Sequence, residues 1–322
     1  MTLNVLGLDA ATYVGSELHH EHRVWVETNC YVDLWIEVLH SLGLPPQAAA
    51  AFALSIDYDD DQFRFFKFPA EDLRALWGIE VYEMNPWLGL DDHLNTQLGL
   101  GRLMTIEVDA WFLPDTAGVS YQTEHTKTTI AVQLHDRVGQ RLGYFHNQGY
   151  YEIDGDNYRG ALGLGLVDRL MPYTEVVRLD RLVKPETEVL VTRSIGLVRG
   201  HLRRRPASNP VSRFREQFDA DVAWLVAGGG SQFHQYAFVT LRQLGAAAEM
   251  ASSLAAWLTS CGEHGLDVAT ESFLVVATRA KTMQFKLARA AAGRPAEFND
   301  LFDQLEAAWA NALDIVEARY GD

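Results

Sequence analysis

Apolar residues recur at helical spacing in the clearest element of the N-terminal half. Val32, Trp35 and Leu39 follow a period of three to four residues. Gly43 then provides a stop, so the pattern predicts a helix over 31–42. The same period predicts two further helices, at 70–77 and 90–100. Runs rich in apolar and β-branched residues predict strands, at 103–108, 126–134, 140–145 and 174–179.

Beyond about residue 180 the chain loses strand signals, and long amphipathic stretches alternate with short glycine-containing turns. These stretches predict four helices, at 211–225, 233–260, 268–292 and 298–320. Short connections favour antiparallel neighbours, so we predict a helical bundle. The chain is therefore predicted to be α+β, with an antiparallel-sheet domain over 1–180 and a helical bundle domain over 181–322.

The composition is that of a soluble globular protein. Of the 322 residues, 48% are apolar and 22% are charged, close to the usual ~45–50% and ~25%. No run approaches the ~18 apolar residues that a membrane span needs. The N-terminus has no basic segment ahead of a long apolar one, so we expect no secretion signal and a cytoplasmic location.

Charge and cysteine usage narrow the possible partners. The net charge of −16 disfavours nucleic-acid binding, because it repels phosphate backbones. The sequence has two cysteines, Cys30 and Cys261. In a reducing compartment we expect both to be free thiols, with Cys261 in a structural role.

Cys30 directly precedes the predicted helix over 31–42. Unpaired N–H groups and the positive end of the helix dipole favour a thiolate at such a position, and the same N–H groups can receive an oxyanion. The alternative is that Cys30 is a small buried filler. The position makes Cys30 a candidate nucleophile.

A cysteine nucleophile needs a base, and the base needs an orienting partner. His125 stands at the entry of the strand predicted over 126–134, and Asn147 follows the strand predicted over 140–145. A hairpin would bring these two strand ends together, so we expect His125 and Asn147 to lie side by side. The alternatives are an exposed strand-end histidine and a turn asparagine.

Several segments resemble an uncharacterised bacterial family, domain-of-unknown-function family 1839. In the N-terminal half these are NCYVDLW at 29–35, EVDAWFLPD at 107–115 and EHTKTT at 124–129. In the C-terminal half they are TLRQLG at 240–245 and AKTMQFKLAR at 280–289. That family is distantly similar to butirosin biosynthesis protein H, an acyltransferase with a papain-like N-terminal domain, and to bacteriocin-processing cysteine peptidases.

The resemblance implies a papain-like N-terminal domain and a role for each candidate residue. Cys30 matches the nucleophile and His125 the base. Butirosin protein H carries an aspartate at the third position, where this chain has Asn147. Papain uses asparagine in that role, so Asn147 is the expected third member and Asp136 the alternative.

The resemblance also implies a substrate. Butirosin protein H moves an acyl group from a carrier-protein thioester to an amine, and members of the bacterial family occur beside carrier proteins and amino acid ligases. We therefore expect Cys30 to take an acyl group, and specifically an aminoacyl group, from the phosphopantetheine arm of an acyl or peptidyl carrier protein. A small-molecule amine or thiol would accept it, with no permanently bound cofactor and no metal.

Other residues complete the predicted site. Asn29 and Thr28 are candidate oxyanion donors, and Asp109 and Asp115 could contact a substrate amine or serve in turns. A local positive face could dock an acidic carrier, and its candidates are Arg203, Arg204, Arg205, Lys281 and Lys286. The alternative for these basic residues is a solvated surface.

The histidine cluster His19, His20 and His22 lacks the spacing of a metal site, so we predict an exposed polar loop there. Two alternative functions remain open at this stage. One is a cysteine peptidase or amidase with the same residues, and the other is a catalytically inactive scaffold that binds a carrier protein.

Overall fold

The structure is a computed structural model that describes residues 2–165 and 170–321. Its contacts divide the chain into two compact units. Unit 1 comprises the residues up to His20, Asn29–Pro46 and Pro69–Lys184. Unit 2 comprises Glu21–Thr28, Gln47–Phe68 and the residues from Pro185 onward. Two segments of the N-terminal half therefore belong to the helical unit, and the division into domains at residue 180 stays a prediction.

The strands of unit 1 form one antiparallel sheet, which confirms that part of the predicted fold class. In the described residues it has seven strands: β1 (Leu3–Asn4), β2 (Glu80–Met84), β3 (Leu103–Asp109), β4 (Lys127–Asp136), β5 (Arg141–His146), β6 (Gly149–Asp154) and β7 (Thr174–Arg178). The order is β2-β7-β3-β4-β5-β6, and β1 pairs with β4. Four strands were predicted, whereas β1, β2 and β6 were not.

The helices of unit 1 pack on the two faces of this sheet. They are α1 (Cys30–Ser41), α2 (Ala70–Trp77), α3 (Leu90–Gly99) and α4 (Gly155–Ala161), with 3₁₀ turns at Glu17–His19, Ala110–Phe112 and Pro114–Thr116. On one face, Leu94 of α3 and Tyr158 of α4 join the core formed by strand residues such as Ile106. On the other face α1 packs on β4, β5 and β6. The sheet is therefore covered on both sides.

The ends of α1 follow from local chemistry. Asn29 has an extended backbone and caps the first turn, because its side chain accepts a hydrogen bond from the Val32 N–H at 3.0 Å. Beyond the last turn, Gly43 adopts a φ of 68°, which glycine reaches without strain. The helix predicted over 31–42 is confirmed, with Cys30 as its first residue.

Unit 2 is helical, as predicted for the C-terminal half. Its helices are α5 (Thr187–Arg204), α6 (Pro210–Ala227), α7 (Phe233–Ala237), α8 (Gln243–Ser260), α9 (Asp267–Ala291) and α10 (Asn299–Tyr320), and Pro46–Ser55 is 3₁₀ helix. The single helix predicted over 233–260 is interrupted by a π-helical turn at Phe238–Arg242. Helix α5 was not predicted. Helix α9 packs against α6, α8 and α10.

Hydropathy along these helices gives no membrane span. Within residues 2–165 and 170–321, no helix combines the length and the apolar character needed to cross a bilayer.

Candidate functional site

Cys30 is a partly exposed free thiol at the first residue of α1. A helix offers no intrahelical acceptor to the N–H groups of its first turn. Within the described ranges, the Cys30 N–H and thiol have no hydrogen-bond partner. Cys30 therefore combines the positive end of a helix dipole with a backbone donor that is available to an anion.

The two residues predicted as oxyanion donors are engaged by the protein. Asn29 caps α1 through its carbonyl oxygen. Thr28 belongs to unit 2, where its main-chain carbonyl accepts a 2.8 Å hydrogen bond from Arg242 Nε. Both residues are buried. Their contact with an oxyanion stays a prediction, whereas their part in fixing the backbone ahead of Cys30 is evident.

His125 forms a pair with Asp109 near the start of β4. Its Nδ1 lies 2.6 Å from Asp109 Oδ2, and its ring stacks on Trp111 with centroids 4.5 Å apart and planes 11° apart. The other Asp109 oxygen accepts from the Trp111 N–H at 3.0 Å. The His125 side chain is 69% exposed. Asp109 and Trp111 therefore hold the His125 ring in place, while most of the side chain stays exposed.

Asn147 occupies the two-residue loop between β5 and β6 with a φ of 45°. The pairing of Ala131 with Phe145 sets the register of β4 against β5. If the same register continued beyond Phe145, Asn147 would lie opposite Thr129. Thr129 is four residues after His125, a separation of about 13 Å in an extended chain. The expected side-by-side placement of His125 and Asn147 is therefore not seen, and the carboxylate in contact with the His125 ring is that of Asp109.

No hydrogen bond, ion pair or ring contact in the described part of the chain joins Cys30 to His125. Tyr31, the residue after Cys30, donates to Glu175 at 2.7 Å, and Thr105 of β3 donates to the same carboxylate oxygen at 2.7 Å. Asp109, the partner of His125, lies four residues after Thr105 on β3, which is about 13 Å further along the strand. In the described part of the chain no hydrogen bond links the Cys30 thiol to a histidine. The triad of Cys30, His125 and Asn147 thus stays a prediction.

Asp115 belongs to a buried network. Its Oδ2 lies 2.5 Å from His146 Nδ1, and its Oδ1 accepts from the Tyr144 hydroxyl at 2.6 Å. His146 Nε2 lies 2.7 Å from the Thr128 hydroxyl. The carboxylate side chain is 1% exposed. The predicted direct contact of Asp115 with a substrate amine is therefore replaced by contacts with His146 and Tyr144.

Asp136, the alternative third member of the triad, serves the turn after β4. One oxygen accepts from the Gly139 N–H at 3.0 Å and the other from the Thr2 hydroxyl at 2.8 Å. These hydrogen bonds lower the pKa of Asp136. The arrangement is that of a turn-forming aspartate.

His19 is buried, so the prediction of an exposed loop was wrong for this residue. Its Nδ1 lies 2.5 Å from Glu37 Oε1, and its Nε2 lies 3.4 Å from Asp33 Oδ1. Burial lowers the pKa of His19, but hydrogen bonds and the charges of Asp33 and Glu37 raise it overall to about 9. His19 is thus an imidazolium, and with both ring nitrogens engaged it is not a base in this arrangement.

A signal for this cluster was present in the sequence. Asp33 and Glu37 lie three and seven residues after Cys30, which places the three side chains on one face of α1. Acidic residues on an otherwise apolar helix need a buried partner. Only the fold shows that His19 supplies it.

The predicted carrier-docking residues lie on unit 2. Arg204 contacts His201, and Arg205 pairs with Glu317 across 2.6 Å. Lys281 lies over the Trp25 ring at 4.2 Å, and Lys286 donates to the Glu297 carbonyl at 3.2 Å. Arg203 is also engaged. These contacts show structural uses for the basic residues, and docking stays a prediction.

Among the residues that the structure describes, no group of three or more His, Cys, Asp or Glu side chains could hold a metal ion. A comparison with curated proteins finds no match. A comparison with family models gives two matches that together cover most of the chain. The DUF1839 N-terminal domain matches residues 14–179, and the DUF1839 C-terminal domain matches residues 187–318. The chain therefore belongs to the DUF1839 family.

Proposed function

We propose that the protein is a cysteine-dependent acyltransferase that forms a thioester on Cys30. The observation that carries the proposal is the free, partly exposed thiol at the first residue of α1, beside a backbone N–H that has no partner among the described residues. The N–H can donate to the oxyanion that forms when a carbonyl is attacked. A cytoplasmic location, which keeps the thiol reduced, is part of the proposal.

The proposed reaction has two steps. The Cys30 thiolate attacks the carbonyl carbon of an aminoacyl or acyl thioester on a carrier protein; a C–S bond to Cys30 forms, and the C–S bond to the phosphopantetheine sulfur breaks. The departing thiolate takes up a proton. An amine nitrogen then attacks the Cys30 thioester, the new C–N bond replaces the C–S bond, and a base removes the amine proton.

His125 is the proposed base, with Asp109 as the residue that orients it. This assignment is supported by the 2.6 Å contact and by the exposed ring. His125→Gln should slow acylation by about 10²–10⁴-fold. Asp109→Ala should give a smaller loss, and Asn147→Ala should leave the rate unchanged. Equal losses in the Asp109 and Asn147 variants would contradict the assignment.

Intact-protein mass spectrometry with an aminoacyl-loaded carrier protein tests the nucleophile. We expect a hydroxylamine-labile acyl adduct on the natural chain and on Cys261→Ala, and none on Cys30→Ala. Cys261 is a matched control, because it is also a partly exposed free cysteine. An adduct that persists in Cys30→Ala would refute the thioester on Cys30.

The second candidate is a carrier-binding scaffold without chemistry. It is favoured by the missing hydrogen bond between Cys30 and a histidine in the described ranges. The scaffold would be established if iodoacetamide labelled Cys30 as slowly as an ordinary thiol and no acyl adduct formed on Cys30. Cleavage of peptide or amide substrates by Cys30 would instead identify a hydrolase.

Carrier docking through the basic residues of unit 2 completes the proposal. If the charges of Arg203, Arg204 and Arg205 steer an acidic carrier, the acylation rate at low carrier concentration should fall with rising salt. Replacing the three arginines by alanine should weaken that salt dependence without preventing acylation by a small thioester. An unchanged salt dependence would exclude this surface.

A further inference from the structure

Helix α9 carries a second stripe of residues on the side away from its buried face. The buried residues, which include Phe273, Ala280 and Leu287, recur every three or four positions and pack into unit 2. A further series with the same spacing lies on the far side of the helix and is mostly exposed. This outer stripe consists of Val268, Glu271, Val275, Thr278, Thr282 and Phe285.

The outer stripe is largely apolar. Val268 is 55% exposed and Phe285 is 64% exposed, and Val275 between them is exposed as well. The hydroxyls of Thr278 and Thr282 donate to carbonyl oxygens one turn earlier in the same helix, at 2.8 and 2.9 Å. Covering the stripe would therefore leave neither hydroxyl without a partner. Exposed apolar side chains gathered in one patch, rather than scattered, mark an interaction surface.

The two ends of the stripe carry opposite charge. Asp267 and Glu271 lie near the start of α9, and Lys286 and Arg289 lie near its end. Within the described residues, Asp267, Glu271 and Arg289 form no ion pair. Lys286 donates to a main-chain carbonyl at 3.2 Å and pairs with no carboxylate in that part of the chain. Each end can therefore pair with the opposite end of another α9 helix.

The stripe is also complementary to itself in the antiparallel direction. In an antiparallel pair of α9 helices, Val268 of one copy can lie opposite Phe285 of the other. The same register places Asp267 opposite Lys286, because both pairs are centred on the same point of the helix. A two-fold axis through that point makes each contact twice, as a closed dimer requires.

We propose that the outer stripe of α9 binds the same stripe of a second copy of the chain, with the two helices antiparallel. The stripe supplies both halves of the apolar and charge pattern, and this favours a second copy over a different protein. One helix from each copy makes an interface in the small class, below ~1,200 Å². The dimer is therefore weak, with a dissociation constant of about micromolar order. The assignment does not depend on acyl transfer, because it concerns the surface of α9 alone.

Sedimentation velocity between about 2 and about 200 µM protein should show monomer converting into dimer as the concentration rises. Phe285→Glu should raise the dissociation constant at least about tenfold, because a charge replaces an apolar side chain that the dimer buries twice. Trp87→Glu is the matched control, since Trp87 is also a largely exposed aromatic residue but belongs to unit 1. It adds the same charge and should dimerise like the natural chain.

Three outcomes of this experiment would overturn the proposal. The first is a natural chain that stays monomeric over the whole range. The second is an equal loss of dimer in Phe285→Glu and Trp87→Glu, with unchanged far-UV spectra and melting temperatures. The third is growth beyond the dimer, which would indicate a head-to-tail contact instead of a two-fold pair.

Charge reversal tests the antiparallel register. Asp267→Lys sets lysine against Lys286 at both ends of the dimer, and Lys286→Glu sets two carboxylates together, so each variant alone should dimerise several-fold more weakly. In an equimolar mixture, every facing pair has opposite charges again, and the dimer should return to the strength of the natural chain. Mixing changes the stability of neither chain, so recovery reports the contact itself. A mixture that dimerises no better than the separate variants would overturn the register.

Discussion

Buried charge is concentrated on one face of α1, where His19 lies between Asp33 and Glu37. Placing one imidazolium between two carboxylates avoids an unpaired buried charge, which would cost several kcal/mol. Tyr13 and the Ser16 N–H give Glu37 further hydrogen bonds. The segment before α1 is thus attached to the helix by charge-assisted contacts.

This arrangement makes stability depend on pH. The folded pKa of His19, about 9, lies above its unfolded value of about 6.5, so protonation favours the folded state. The contribution is complete below about pH 6.5 and is lost as pH rises through about 9. It amounts to up to about 3 kcal/mol.

Urea unfolding at about pH 6 and about pH 9.5 should therefore show a loss of stability in the natural chain over that interval. His19→Gln keeps a polar side chain but removes the charge. We expect this variant to be less stable at neutral pH and to lack the fall between the two pH values. A fall of the same size in His19→Gln would show that other groups cause it.

The role of His19 could not be read from its own neighbourhood. His19, His20 and His22 look like a polar loop, and the partners of His19 come from a helix more than ten residues away. For Cys30 the sequence was a better guide, because the helix start depends on the local cap from Asn29. Asp109 was named as a candidate, but its pairing with His125 depends on strand register.

At the scale of elements, helix α8 approaches the segment Glu21–Thr28 very closely at Gly245. The backbone N–H groups of Val24 and Trp25 donate to Glu249 of α8 at 2.9 and 2.7 Å. A Cβ on Gly245 would meet the Trp25 ring, with Cε2 at 2.5 Å. Trp25 is itself buried, and its Nε1 donates to the Ala277 carbonyl at 3.1 Å. The ring has little freedom to move away.

Gly245→Ala should therefore destabilise the protein by about 1–3 kcal/mol through overpacking, despite the better helix propensity of alanine. Gly196→Ala is the matched control, because Gly196 also lies inside a helix but has open space around its Cβ position. That variant should be neutral or more stable by up to about 1 kcal/mol. Thermal and urea unfolding of both variants checks the prediction, and equal effects would contradict the close approach.

Elements with strong local signals were predicted well. Helix α2 follows Pro69 and ends at Gly78, and α3 and α10 lie within a residue or so of their expected bounds. Strand β6 was missed because its pairing depends on β5 and on the loop at Asn147. The π-helical turn at Phe238–Arg242 was not predicted, since such single turns lie inside longer α-helices.

At the scale of the whole molecule, the compact units do not follow the order of the chain. The family models divide the protein into 14–179 and 187–318. Unit 2, however, also contains Glu21–Thr28 and Gln47–Phe68. A sequence-based boundary near residue 180 detects the change from strands to helices. It cannot detect that two earlier segments complete the helical unit, because their contacts are non-local.

The contacts of Gln47–Phe68 within unit 2 are extensive. The Phe63 N–H donates to the Val239 carbonyl at 3.0 Å, and the rings of Tyr58 and Phe63 pack on Phe214 at 5.3 and 5.5 Å. Asp57 forms an ion pair with Arg213. The segment therefore contributes both core side chains and polar partners to the helices after residue 185.

A fragment that begins at residue 185 should consequently be helical but not cooperatively folded. Without the two earlier segments, the aromatic surface around Phe214 is exposed, so we expect a native-like far-UV spectrum, a weak near-UV spectrum and binding of a hydrophobic dye. A synthetic peptide of residues 47–68, added in excess, should restore part of the near-UV signal and of the unfolding transition, whereas a scrambled peptide should not. Cooperative unfolding of the fragment alone, without dye binding, would mean that the C-terminal helices form a complete core and that the earlier segments only lie on its surface.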